Sequence, residues 1–150
     1  MSPRLTPTVG PKGQRNAATL KSGAVAAARK PEPTVLLVDD DTSVRHSVCR
    51  VLASEGIQVC SARGVKDALD QIFIAAPDLV ITDLGMAPLT GWDLIAFLTE
   101  RYPALPLFVI TAHPVHFAGE AKCAATAFFE KPLDLDALLT AIRCQLALRP

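Results

Sequence analysis

The chain contains no Cys-x-x-Cys pair. Its four cysteines, Cys49, Cys60, Cys123 and Cys144, stand far apart. That spacing argues against a thiolate metal cluster, a dithiol redox motif or a small disulfide scaffold, and leaves reduced, mostly buried thiols as the expectation. Long apolar runs are missing as well: nothing approaches the roughly 18 residues that span a bilayer. The N-terminus lacks the continuous apolar core of a secretory signal. A soluble, cytoplasmic protein with no membrane partner is therefore expected. Aromatic residues are scarce, at 5% of the chain, and form no stacking platform. No helix-turn-helix follows the last predicted helix, so nucleic acid is not expected as a partner.

Net charge is also absent, but only as a sum. Residues 1–33 carry Arg4, Lys12, Arg15, Lys21, Arg29 and Lys30 against Glu32 alone, whereas residues 34–150 carry nine basic and fourteen acidic side chains. The two parts are thus +5 and −5. The first part holds Pro3, Pro7, Pro11, Pro31 and Pro33 and shows no regular apolar period. It is expected to be a disordered basic arm, 1–33, ahead of one globular domain, 34–150.

From Thr34 onward, short apolar runs alternate with helical patterns, which implies βαβ units and a parallel sheet. The first helix, about Thr42 to Ser54, places Val44, Val48, Val51 and Leu52 on one face and stops at Gly56. A strand at Gln58 to Ala62 and a helix at about Val65 to Ala75 follow. The third helix starts near Gly91, presents Leu94, Ile95 and Leu98, and ends at Tyr102-Pro103. A short alanine-rich fourth is expected over about Phe117 to Ala124. The fifth follows Asp134 as N-cap and buries Leu135, Leu138, Leu139, Ile142 and Leu146.

Four of the apolar runs end on reactive residues. Val35-Leu-Leu-Val38 leads into Asp39, Asp40 and Asp41, and Leu79-Val-Ile-Thr82 into Asp83. Leu107-Phe-Val-Ile110 leads into Thr111, and Ala127-Phe-Phe-Glu130 into Lys131-Pro132. In a parallel α/β sheet, strand carboxyl ends share one edge, and ligands bind in the crevice outside it. Carboxylates brought together there repel unless a cation separates them, and oxygen ligands with room for water suit Mg²⁺. Asp40 and Asp83 are candidate ligands, with Asp39 beside them, while Asp41 belongs to the start of the first helix. A carboxylate can attack phosphorus. The transferred group then needs cations and donors, which Lys131 and Thr111 supply. An X-Pro bond adopts cis at low cost, and a cis bond at Pro132 would aim Lys131 inward.

In these stretches, together with Val109-Ile-Thr-Ala112, Phe129-Glu-Lys-Pro132 and Gly91, residues 34–148 resemble the receiver domain of two-component response regulators, of the single-domain, CheY-like type. The resemblance implies a doubly wound, flavodoxin-like α/β fold: a five-stranded parallel sheet of order 2-1-3-4-5 with five helices. It makes Asp83 the phosphoacceptor, with Asp39, Asp40, Asp83 and the carbonyl of Gly85 holding Mg²⁺. Thr111 becomes the switch hydroxyl, Lys131 the phosphate-binding lysine and Phe128 the aromatic switch residue. The implied activity is acceptance of a phosphoryl group from a sensor histidine kinase or phosphotransfer protein. That event would change binding to a downstream protein target. Such a domain catalyses its own phosphorylation and dephosphorylation and is not a turnover enzyme.

Two departures from the family pattern fall after Asp83: Ala87 stands where a proline is usual, and Gly85 brings no side chain near the phosphoryl group. Alternative readings are an aspartate-nucleophile phosphatase similar to the haloacid dehalogenases, and a degenerate receiver that only mediates contacts. The former usually has a second acid two residues after the nucleophile, where this chain has Gly85.

Overall fold

A computed structural model describes residues 32–113 and 124–149. Strands β1 (Thr34–Val38), β2 (Gln58–Ala62), β3 (Leu79–Asp83), β4 (Leu107–Thr111) and β5 (Ala127–Glu130) form one parallel sheet. Its order is 2-1-3-4-5, as expected. Helices α1 (Thr42–Ser54), α2 (Val65–Ala75), α3 (Gly91–Arg101) and α4 (Leu135–Ala147) alternate with the strands. The helix expected over 117–124 falls almost wholly outside the described residues, so among those described the count is four rather than five. The basic arm likewise lies outside them, except for Glu32 and Pro33. Those two residues already belong to the sheet edge: Pro33 accepts from the Gln58 amide at 2.9 Å, and Glu32 from the Gln58 side chain.

Both faces of the sheet are covered, which is why β1, β3 and β4 read as unbroken apolar runs instead of alternating ones. Val35 and Leu37 face a core shared with Val48 and Leu52 of α1 and Leu138 and Ile142 of α4. Leu36 and Val38 face the opposite core, with Ala68 and Ile72 of α2 and Leu94 and Leu98 of α3. Helix ends follow local chemistry. Asp41 accepts from the amides of Ser43 and Val44, and Asp134 from those of Asp136 and Ala137. The Asp93 carboxylate accepts from the amide and hydroxyl of Thr90. Gly56 takes φ +73° just past α1, a left-handed turn that favours glycine.

Three side-chain expectations shift. On α1 the buried positions are Arg45, Val48 and Leu52, while Val44 and Val51 are half-buried. On α4, Leu138, Leu139 and Ile142 are buried, whereas Leu135 and Leu146 are half-buried. Cys49 and Cys60 are half-buried free thiols and Cys144 is exposed, so these three are less buried than expected, while Cys123 lies outside the described residues. Burial raises the Cys49 thiol above its usual value, against the pull of Arg45. No helix among the described residues is long and apolar enough to cross a membrane.

Candidate functional site

The order 2-1-3 makes the chain leave β1 towards β2 and leave β3 towards β4. The crevice between the ends of β1 and β3 is the topological switch point of the sheet. The last β1–β3 pair is Val38 with Thr82, so Asp39 and Asp83 stand side by side one residue further on. Each of Asp39, Asp40 and Asp83 offers an oxygen lying within 4.8 Å of the other two. Asp39 is fully buried, Asp83 is nearly so, and Asp40 is exposed.

Every polar atom of Asp39 is spoken for except one. Its amide donates to the Ala62 carbonyl at 3.1 Å, its carbonyl accepts from Arg45 Nη1 at 2.7 Å, and Oδ1 accepts from the Asp41 amide at 2.8 Å. Oδ2 has no aligned hydrogen-bond donor and meets Lys131 Nζ at 2.9 Å as an ion pair. Burial raises the Asp39 pKa and the Asp83 charge adds to the rise, outweighing the Asp41 amide and Lys131.

Lys131 crosses from the end of β5, two strands away from β3. Its ammonium lies 3.1 Å from Asp83 Oδ2 and so bridges both buried acids. Burial works against that ammonium, yet its close contacts with Asp39 and Asp83 and their charge prevail, and its pKa is raised. The Lys131–Pro132 peptide is cis, and the Lys131 amide donates to the Thr111 carbonyl at 2.8 Å. Thr111, buried at the end of β4, sits one residue beyond Ile110, the partner of Asp83. Its hydroxyl oxygen accepts from the His113 amide at 3.1 Å, which leaves the hydroxyl proton to donate elsewhere. Phe128 is half-buried on β5, opposite Val109, and packs on the core of the α2–α3 face.

The loop after Asp83 is fixed from two sides. Asp83 Oδ1 accepts from the Gly85 amide at 3.1 Å, and the Gly91 amide donates to Leu84 at 3.3 Å. A Cβ on Gly85 would come within 3.8 and 3.9 Å of the two Asp83 carboxylate oxygens. A side chain at this position would therefore overhang the acid. The proline missing at position 87 stands one residue later, and the Ala87–Pro88 bond is cis.

The donor set fits a divalent cation. It consists of hard carboxylate oxygens, one of them buried and without an aligned donor, open on one side at exposed Asp40. Arg45 was missed by the sequence reading. A guanidinium on the first turn of a helix suggests an exposed position, and the Asp39 carbonyl and the Thr42 hydroxyl draw it in. His113 enters through its backbone alone and is exposed.

Comparison with known proteins agrees with this geometry. The family model described as the response regulator receiver domain matches residues 35–143. The chain is 32% identical over 110 residues to the DNA-binding transcriptional regulator NtrC of Proteus hauseri, covering 72% of this chain and 23% of that protein. It is 33% identical over 116 residues to the response regulator protein PilR of Pseudomonas aeruginosa, covering 76% and 26%. Among solved structures, it resembles the chemotaxis response regulator CheY4 of Vibrio cholerae, with TM-score 0.69, 26% identity, and coverage of 76% of this chain and 98% of that one. It also resembles the receiver domain of a putative LuxO repressor protein from Vibrio parahaemolyticus, with TM-score 0.71, 28% identity, and coverage of 77% and 91%. The chain belongs to the response regulator receiver family of two-component signalling. It spans about a quarter of the length of the curated relatives it matches.

Proposed function

We propose that this receiver takes a phosphoryl group on Asp83 from a phosphohistidine of a sensor kinase or phosphotransfer protein, and that the modified domain binds a downstream protein differently. The observation that carries the reading is the bridge that Lys131, from the end of β5, makes between Asp39 and Asp83 at the ends of the neighbouring strands β1 and β3. An Asp83 carboxylate oxygen attacks phosphorus, and the phosphorus–nitrogen bond breaks. The bonding pair stays on the ring nitrogen, which takes a proton from water. Asp39, Asp40, Asp83 and the Gly85 carbonyl are the residues that would hold Mg²⁺. Bound there, the ion neutralises charge spread over the phosphoryl oxygens. Three carboxylates against one ammonium leave the cluster two charges negative, the deficit one divalent cation makes up.

Phosphorylation replaces the single charge of the Asp83 carboxylate with a phosphoryl group carrying about −1.5 to −2, set further out and already flanked by a donor and a cation. The Thr111 hydroxyl and the Lys131 ammonium then turn to the phosphoryl oxygens, and Lys131 loosens its hold on Asp39. Thr111 moving inward leaves room behind it, and Phe128, on the neighbouring strand, is the side chain placed to respond. A small chemical change thus biases a two-state surface.

The test is incubation with Mg²⁺ and acetyl phosphate, followed by mass spectrometry and mapping of the modified peptide. A one-phosphate gain on Asp83 that EDTA prevents is the expected result; no gain, or a label on another residue, overturns the reading. Mg²⁺ alone should also raise the melting temperature. At tenfold excess over its dissociation constant the gain is about 1.4 kcal/mol, from the linkage of binding to folding. Scanning calorimetry over a Mg²⁺ series checks this. The gain should shrink as pH falls into the carboxylate range, where protons compete for the same oxygens.

A further inference from the structure

We infer that Arg45 is a positioning residue for the metal site, holding Asp39 and the β1–α1 turn in the shape that accepts a divalent cation. The inference rests on the reading of Asp39, Asp40 and Asp83 as Mg²⁺ ligands. It concerns a side chain that touches neither the ion nor the phosphoryl group.

Arginine is seldom buried, yet Arg45 is only 9% exposed. Its guanidinium reaches back across the turn that carries the acids. Nη1 donates to the Asp39 carbonyl at 2.7 Å and Nη2 to the Thr42 hydroxyl at 3.1 Å. The Asp39 carbonyl lies past the last β1–β3 pair, where no strand supplies a donor. The guanidinium takes that role and ties the strand end to the first residue of α1. Asp40 and Asp41 lie between the two anchor points, so the tie fixes the short segment in which the exposed ligand sits.

The choice of acceptors carries the inference. Both are neutral oxygens, a carbonyl and a hydroxyl, so the cation braces the acidic turn without pairing with any carboxylate in it. A lysine offers a single donor centre and cannot make both contacts in a fixed plane, whereas the guanidinium fork can. Like charges set beside one another push apart, and an unbraced turn would relax by moving exposed Asp40 away from buried Asp39. The braced turn keeps them near enough for one ion to find its oxygens already in place.

Positioning and plain charge make opposite predictions. Were Arg45 only a nearby positive charge, its removal would tighten Mg²⁺ binding, because one repulsion is lost. If it positions the turn, its removal weakens binding, as loss of groups that orient metal ligands typically does, by about tenfold or more. Titration calorimetry of the full chain with MgCl₂ separates the two. Arg45→Met is expected to bind Mg²⁺ about tenfold more weakly and Arg45→Lys to fall between it and the unaltered chain. Uptake of phosphate from acetyl phosphate should need correspondingly more Mg²⁺ for half-maximal rate, while the rate at saturating Mg²⁺ stays close to that of the unaltered chain. A variant that only destabilises the fold would melt earlier with an unchanged Mg²⁺ affinity. Should Arg45→Met not fold, Thr42→Val removes one acceptor of the fork and should weaken binding by about two- to threefold, a fraction of the full effect. Arg45→Met or Thr42→Val binding Mg²⁺ as tightly as the unaltered chain, or tighter, overturns the inference and leaves the metal reading intact. An unaltered chain that binds no Mg²⁺ overturns both.

Discussion

The Asp83→Asn variant is expected to gain no mass from acetyl phosphate and to melt at a higher temperature than the unaltered chain in Mg²⁺-free buffer. The first outcome follows from chemistry, since an amide oxygen does not form the acyl phosphate. The second is a matter of competing magnitudes. At an effective dielectric near 20, the contact of Asp83 with Lys131 at 3.1 Å is worth about 5 kcal/mol of attraction. Against it stand a repulsion from Asp39 within 4.8 Å, about 3.5 kcal/mol on the same scale, and a weaker one from exposed Asp40. The removal of a carboxylate from water costs several kcal/mol more. Lys131 keeps Asp39 at 2.9 Å, so the amide leaves no stranded ammonium behind. The balance favours the neutral side chain by about 1–2 kcal/mol, or roughly 5 °C for a domain of this size. The Gly85 amide still finds an oxygen at position 83. Mass spectrometry and thermal melts check the two halves separately. Labelling at the unaltered rate would move the phosphoacceptor elsewhere, and a lower melting temperature would mean that the Lys131 pair outweighs the crowding of like charges.

Much of the site is legible in the sequence because strand ends are punctuated there. Buried parallel strands must be apolar for their whole length, so the first polar residue after each run marks the edge where ligands bind. Asp39, Asp83, Thr111 and Lys131 stand at those four ends, and two of the pairings between them are ion pairs. The caps were legible for a similar reason, since Asp41 and Asp134 act on amides two and three residues away. Legibility fails where a residue's role depends on a distant backbone atom. Arg45 counts as a surface residue in any periodic pattern of α1, and its burial moves the inward stripe by one position, leaving Val44 and Val51 half-buried. Pro88 could be seen only as a missing proline at Ala87, because the loop's path is set by its anchors at Asp83 and Gly91.

The packing around Gly91 shows how far the backbone itself belongs to the site, and Gly91→Ala is expected to be the most crowded glycine-to-alanine change among the described residues. A Cβ at this position would lie 2.1 Å from the Asp83 carbonyl oxygen, 2.8 Å from Leu84 Cα and 2.9 Å from the Asp83 carbonyl carbon. All three are main-chain atoms, so no side chain can rotate to make space. Carbon and oxygen need roughly 1 Å more than the shortest of these distances allows. Either α3 must lift from the sheet, breaking the Gly91 bond to Leu84, or the end of β3 must move and carry Asp83 with it. Overpacking of this kind costs about 3 kcal/mol, a fall in melting temperature of roughly 10 °C or more. If β3 yields, the acid leaves its place beside Asp39 and Lys131, and a displacement near 1 Å can cost about 100-fold in rate. Labelling by acetyl phosphate well below the melting temperature should therefore slow as well, a loss that instability alone does not produce. Gly64→Ala is the matching control, because a Cβ there meets nothing within 4 Å and the backbone is extended. It should stay within about 0.5 kcal/mol of the unaltered chain and label normally. Equal melting temperatures for the two variants would mean that α3 does not rest on the end of β3 as closely as these contacts require.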